Sequence, residues 1–232
     1  MDGTLIEPTR MRAAIARRMS ESKRQAPHFY VQTEVAMDGL LAELDRPDAH
    51  VTVTAGLARA CVEALCAHPA FNSVWTADGL LQADEVNLGV AIALEGGLVA
   101  PALIDADRLD LLALAAALRD LVERARANRL RPVEISDATF TLTNLGMFGV
   151  TAFTPIVTPP QIAILATARP VERWSMRDGE PTRQALMTAT LSADHSAVDG
   201  VDAAKFLETF KAAVENPESL LREPTHAKET MS

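Results

Sequence analysis

The sequence predicts a single α+β domain: a mixed sheet packed with helices. Helical and strand periodicities alternate along the chain, without the regular strand–helix–strand rhythm of a dinucleotide-binding fold. No internal repeat, low-complexity run or Gly/Ser linker divides it. Its 232 residues, 48% apolar and 23% charged, suffice for one sizeable core without disulfide or metal staples.

The elements follow in order. Thr9 caps a helix that runs to Gln25, with Met11, Ala14, Ile15 and Met19 at helical spacing. Its other face carries Arg10, Arg12, Arg17, Arg18, Lys23 and Arg24. That face is either solvated or a docking surface for phosphate or carboxylate. Pro27 ends the helix, and His28 to Met37 alternates as a strand with Phe29, Val31, Thr33 and Val35 on one face. Val51 to Ala67 reads as a helix too apolar to be exposed, so it crosses a sheet face. Short strands lead from Phe71 through the Asp78-Gly79 turn, and Val86 to Leu94 is a better strand. Glu95-Gly96-Gly97 is a hairpin turn from which Leu98 to Ile104 returns. Leu109 to Arg129 is an amphipathic helix. Ala138 to Thr143, Gln161 to Ala168 and Ala185 to Ser192 are β-like, and a helix from Ala203 to Glu215 closes the domain. The domain spans 8–222, and a polar tail occupies 223–232.

Composition excludes several function classes. A net charge of −9, from 22 Lys+Arg against 31 Asp+Glu, argues against nucleic acid as a partner. Cys61 and Cys66 are five apart in an apolar segment and read as buried free thiols of a reducing compartment. No stretch reaches the roughly 20 apolar residues of a membrane span, and no leader is visible. A soluble cytoplasmic protein is expected. His28, His50, His68, His195 and His226 do not cluster in sequence, so no metal is expected.

Two segments carry chemistry. In Ser192-Ala-Asp-His-Ser-Ala-Val-Asp-Gly200, His195 follows directly on a strand and Asp199 stands four residues later. Histidine suits general base work near neutral pH. Asp199 can order the turn by hydrogen bonds or by pairing with an arginine. In Asp137-Ala-Thr-Phe-Thr-Leu-Thr-Asn-Leu-Gly-Met-Phe-Gly149, Thr139, Thr141 and Thr143 share one strand face. A cross-strand ladder accounts for the first two. Thr143, beside the Gly146 turn, is the one placed to donate to a developing oxyanion. The glycines do not follow GxGxxG, which rejects a dinucleotide site.

Together these segments, with Pro159-Pro-Gln-Ile-Ala-Ile-Leu165, Arg12-Ala-Ala-Ile-Ala-Arg-Arg-Met-Ser-Glu-Ser-Lys23, Pro27-His-Phe-Tyr30 and Gly97-Leu-Val-Ala-Pro101, resemble the catalytic domain of the dihydrolipoamide acyltransferases of 2-oxo acid dehydrogenase complexes. The resemblance implies the chloramphenicol acetyltransferase-like fold and a homotrimer with its active sites between subunits. It also implies acetyl-CoA as substrate. His195 matches the general base. Thr143 matches the oxyanion donor acting from the neighbouring subunit. Asp199 matches the residue that orders the His-bearing turn through an arginine such as Arg17 or Arg18. The basic first helix is a candidate for the CoA phosphates.

Two departures stand out. The family pattern Asp-His-Arg-Val-Val-Asp-Gly reads Asp194-His-Ser-Ala-Val-Asp-Gly200 here, with Ser196 and Ala197 substituted. No lipoyl domain, covalent lipoyl group or peripheral-subunit-binding domain is recognised. That shortness leads to the expectation of a free-standing acetyltransferase acting on a small hydroxylated acceptor, such as a tetronate intermediate. The alternatives are acyl transfer between CoA and a dihydrolipoyl group, an acetate-eliminating partner enzyme, or a non-catalytic trimeric scaffold.

Overall fold

The computed structural model describes residues 3–46, 51–94, 97–177 and 179–221. Residues Glu95 and Gly96 of the expected hairpin turn, His50, and the tail 223–232 lie outside the described residues.

Helix α1 (Arg10–Gln25) begins where Thr9 Oγ1 accepts the Arg12 backbone N–H, as its capping residue type predicts. Strand β1 (His28–Ala36) follows, then a short α2 (Asp38–Leu44) and α3 (Val53–Ala67), capped by Thr52. Hairpin strands β2 (Ser73–Thr76) and β3 (Gly79–Gln82) pair only with each other as strands. Next come β4 (Leu88–Val90), β5 (Ile92–Leu94), β6 (Gly97–Val99) and β7 (Ala102–Leu103). Helix α4 (Leu111–Arg126), capped by Asp110, leads to α5 (Pro132–Ser136) and β8 (Phe140–Asn144). Strands β9 (Ala163–Thr167), β10 (Val171–Arg177) and β11 (Glu180–Asp194) precede α6 (Gly200–Glu215).

The main sheet has the order β1-β11-β9-β8-β4-β7, with β10 also on β11. Strand β8 is parallel to β4 and β9, whereas the β1–β11, β11–β9 and β4–β7 pairs are antiparallel. The sheet is therefore mixed, as expected.

Only one face of it is sealed. Phe140, Leu142, Leu165, Met187 and Leu191 are buried in one core with α3 and α6, and Phe206 packs between Phe71 and Phe140 at ring distances of 4.9 and 5.6 Å. Ten residues of α3 are buried, which is why its sequence is apolar on every side. The opposite face carries Thr141, Thr143 and Ile164, which line a cavity. Helix α1 does not seal that face. Its one buried residue is Ser22, whose hydroxyl donates to the Val157 carbonyl. Its apolar stripe of Met11, Ile15 and Met19 lines the same cavity instead of entering the core.

Three expectations change. The strand expected from Val86 to Leu94 divides at Ala91, because β4 stays in the main sheet while β5 leaves to pair with β6. Strand β10 falls where the sequence reading placed no element; Glu172 and Arg173 are polar because this outer strand is exposed. Helices α2 and α5 are too short to show a helical period.

Candidate active site

His195 stands one residue beyond the end of β11, and backbone bonds hold it there. The Asp194 N–H donates to Ile162 O at 2.8 Å, and the His195 N–H donates to Pro27 O at 3.0 Å. The Ala197 and Val198 N–H groups both turn back to Asp194 O. The imidazole packs against Phe29 with ring centroids 4.6 Å apart, yet its side chain remains 53% exposed. A base needs that access to its substrate.

Asp199 is the cap residue of α6, and its carboxylate Oδ1 lies 3.5 Å from His195 Nδ1. The expected arginine partner is corrected. Arg18 donates through Nε and Nη2 to the carbonyl of Pro159, and among the described residues neither Arg17 nor Arg18 pairs with Asp199. The carboxylate faces the imidazole itself, at Nδ1.

Thr143 lies on β8 and is 7% exposed. Its two neighbours on the same face do not form the expected ladder. Thr139 donates to Asn72 Oδ1 at 2.6 Å and Thr141 to Gln161 Oε1 at 2.7 Å. Those hydroxyls are committed to amides. Thr143 lines both of two adjoining cavities of about 960 and 510 Å³. The larger is bounded by Met11, Arg12, Ile15 and Arg18 of α1 and by Phe153 and Ile156. The smaller is bounded by Thr52 and Thr54 at the start of α3, Arg119 and Arg126 of α4, and Asn144.

The sheet register keeps the two candidate groups apart. Thr143 pairs with Ala166, and Ala166 pairs with Thr190. His195 lies five positions beyond Thr190, one past the end of β11. Strand rise and strand spacing then separate Thr143 and His195 of one chain by on the order of 20 Å. The structure does not bring them together within a single chain.

The other histidines and the cysteines take no part in this arrangement. His28 donates from Nδ1 to Ala26 O, and its Nε2 accepts the Val157 N–H, so it is a structural clasp. His68 meets Thr209. Burial pushes the Cys66 thiol up to about 11, and Cys61 is raised further, so neither is a nucleophile at neutral pH. Sequence reasoning missed the smaller cavity, and it missed Asp194, whose buried carboxylate accepts from the Trp75 indole N–H at 2.9 Å. The 119-residue separation of that pair leaves no local signal, although an aspartate adjoining the base was visible. Among the described residues no group of three His, Cys, Asp or Glu converges on a metal position, and no helix is long and apolar enough to cross a membrane.

A mixed sheet of this order, an accessible imidazole at one strand end and a hydroxyl at a cavity junction make up the candidate site. The fold is that of chloramphenicol acetyltransferase, a structure of which superposes with a TM-score of 0.58 at 16% identity over 89% of this chain and 94% of that one. The family model for the 2-oxoacid dehydrogenases acyltransferase (catalytic domain) matches residues 2–222, and the chain belongs to that family. It is 39% identical over 223 residues to the dihydrolipoyllysine-residue acetyltransferase component of the pyruvate dehydrogenase complex of Zymomonas mobilis, covering 93% of this chain and 51% of the relative. The chain thus spans about half the length of the curated relatives it matches. The structure of the Azotobacter vinelandii dihydrolipoamide acetyltransferase, solved to investigate a serine, a histidine and an asparagine in its catalytic mechanism, superposes with a TM-score of 0.89 at 28% identity over 95% of each chain. The cubic core of a pyruvate dehydrogenase multienzyme complex does so equally, with a TM-score of 0.89 at 28% identity over 95% of each chain.

These relatives correct the expectation of a free-standing tetronate O-acetyltransferase. The curated relatives it matches are dihydrolipoyllysine-residue acetyltransferase components, so the small hydroxylated acceptor is withdrawn. The shortness that suggested it carries no weight, because the match covers one region of longer relatives.

Proposed function

We propose that this domain transfers an acetyl group between CoA and a thiol of a dihydrolipoyl group, in a site completed by a second copy of the chain within a homotrimer. The observation that carries the reading is the family match across residues 2–222. The Azotobacter enzyme supports the residue roles. Its serine precedes its histidine by 52 residues and its asparagine follows by four, the same spacings that relate Thr143, His195 and Asp199 here.

His195 removes the proton from the acceptor thiol, and the thiolate attacks the thioester carbonyl of acetyl-CoA. The negative charge that develops on the carbonyl oxygen is met by the Thr143 hydroxyl of a neighbouring copy. The intermediate collapses with expulsion of the CoA thiolate, which takes the proton back from the imidazolium. Asp199, 3.5 Å from Nδ1, stabilises that imidazolium and orients the ring. The smaller cavity suits acetyl-CoA: Thr143 is among its lining residues, and Arg126 and the amino end of α3 offer positive charge to phosphates, beside Arg119 and Glu123. That location replaces the basic face of α1 as the candidate for the phosphates.

The test is incubation of the protein with acetyl-CoA and dihydrolipoamide, followed by mass spectrometry. S-Acetyldihydrolipoamide forming in step with free CoA is expected. Consumption of neither substrate by a folded, assembled protein would overturn the reading.

A further inference from the structure

Asp194 is 4% exposed and sits directly before the base, yet the acyl-transfer steps do not use it. Both of its carboxylate oxygens are occupied. Oδ2 accepts the Trp75 indole N–H at 2.9 Å, and Oδ1 accepts the Ser196 backbone N–H at 2.9 Å. The second bond folds the peptide that follows His195 back onto Asp194, and the first ties that carboxylate to the β2–β3 hairpin. Trp75 is itself fixed by its backbone, which donates to Pro160 O at 2.8 Å, and Val74 bridges Gln161. Gln161 in turn accepts from Thr141 on β8. A continuous chain of hydrogen bonds therefore runs from β8 through the 159–161 segment and the β2–β3 hairpin to the turn that bears the base.

We infer that Trp75 and Asp194 form a clamp that positions His195, with Trp75 acting through Asp194 and neither residue touching substrate. A half-exposed imidazole on a turn has few contacts of its own. Among the described residues, the ring of Phe29 and the carboxylate of Asp199 meet it. The clamp supplies the rigidity that a base must have, since a displacement of about 1 Å can lower a rate about 100-fold. The buried carboxylate also gives the indole a partner that no neutral acceptor of the same shape matches.

The kinetic part rests on the dihydrolipoyl reading, and the variants are chosen to separate the two. Trp75→Phe deletes the indole donor. Asp194→Asn keeps an acceptor for Ser196 but turns an amide N–H toward the indole N–H. Turnover is expected to fall about 10-fold in W75F and about 100-fold in D194N, with KM for acetyl-CoA and for dihydrolipoamide within about twofold of wild type. The double variant is expected to be faster than D194N alone, because deleting the indole relieves the clash of two donors. Losses that multiply, or an unchanged turnover in W75F, would overturn the clamp. A wild-type protein inert toward dihydrolipoamide would instead overturn the functional reading. The clamp is then judged without turnover, from the Trp75 indole proton, one of two in the chain. Its exchange with solvent should quicken in D194N; unchanged exchange would overturn the clamp.

Discussion

Thr143 and His195 of one chain are set two strands and five residues apart, linked by the register Thr143–Ala166–Thr190 and then by the end of β11, just past which His195 lies. No side-chain rotation closes a gap on the order of 20 Å. A base and an oxyanion donor must each lie within about 3 Å of the reacting groups. If both act in one reaction, they come from different copies. The open sheet face, the cavity-lining stripe of α1 and the exposed imidazole are what such an assembly would cover.

Replacing His195 by alanine should leave fold and assembly intact, because the side chain is half exposed and contacts chiefly Phe29 and Asp199. Acetylation of dihydrolipoamide should fall by about 10²–10⁴. Steady-state rates beside a light-scattering mass will separate loss of chemistry from loss of assembly.

For Thr143, the hydroxyl and not the methyl should matter. Thr143→Ala is expected to lower turnover by about 10²–10³, whereas Thr143→Ser should remain within about tenfold of wild type. Equal loss in both variants would mean that packing at the cavity junction, not the donor, was removed.

Asp199→Asn retains an oxygen that can face Nδ1, as the asparagine of the Azotobacter enzyme suggests. A loss of a few-fold is expected, against about 10-fold or more for Asp199→Ala, which leaves nothing beside the ring. If the asparagine variant were as slow as the alanine one, the charge of the carboxylate would be the essential feature.

Much of this arrangement was legible in the sequence, where local signals are strong. Thr9 caps its helix as its residue type predicts, because its oxygen satisfies a free backbone N–H group; Thr52 and Asp110 do the same, although the expected helices began before them, at Val51 and Leu109. The apolar run of α3 marks the buried helix, and His195 and Thr143 stand out by residue type beside a strand end and a glycine turn. What was hidden depends on contacts distant in sequence. The Asp199 side chain meets the imidazole four residues away and not an arginine of α1, since Arg18 is engaged by the Pro159 carbonyl. The Asn72 and Gln161 amides that occupy Thr139 and Thr141 come from 67 and 20 residues away. The acceptor was misread from chain length, a feature with no physical link to the site.

Stability should depend on acid through Glu134. Its side chain is 1% exposed and receives two hydrogen bonds from Arg124, at 2.6 and 2.8 Å, with further bonds from the backbone and side chain of Arg131. The Arg124 bonds are the main cause that holds its pKa down to about 2 from 4.5. A depressed carboxylate stabilises the fold above its unfolded value and loses that contribution as pH falls. Glu134→Gln should therefore cost about 3 kcal/mol at neutral pH, and the gap from wild type should narrow between pH 4.5 and 2. Denaturant titrations across that range will show it; a gap independent of pH would contradict the ion pair.

The most direct test of a shared site is complementation between two inactive variants. His195→Ala and Thr143→Ala chains are each purified as inactive assemblies, then unfolded together in equal amounts and refolded. Random mixing in a trimer gives about one quarter of the interfaces an intact His195 facing an intact Thr143. Recovery of about a quarter of wild-type acetylation of dihydrolipoamide is the result expected. Activity no greater than that of the separate variants, from mixed assemblies shown to contain both chains, would contradict a site built between copies.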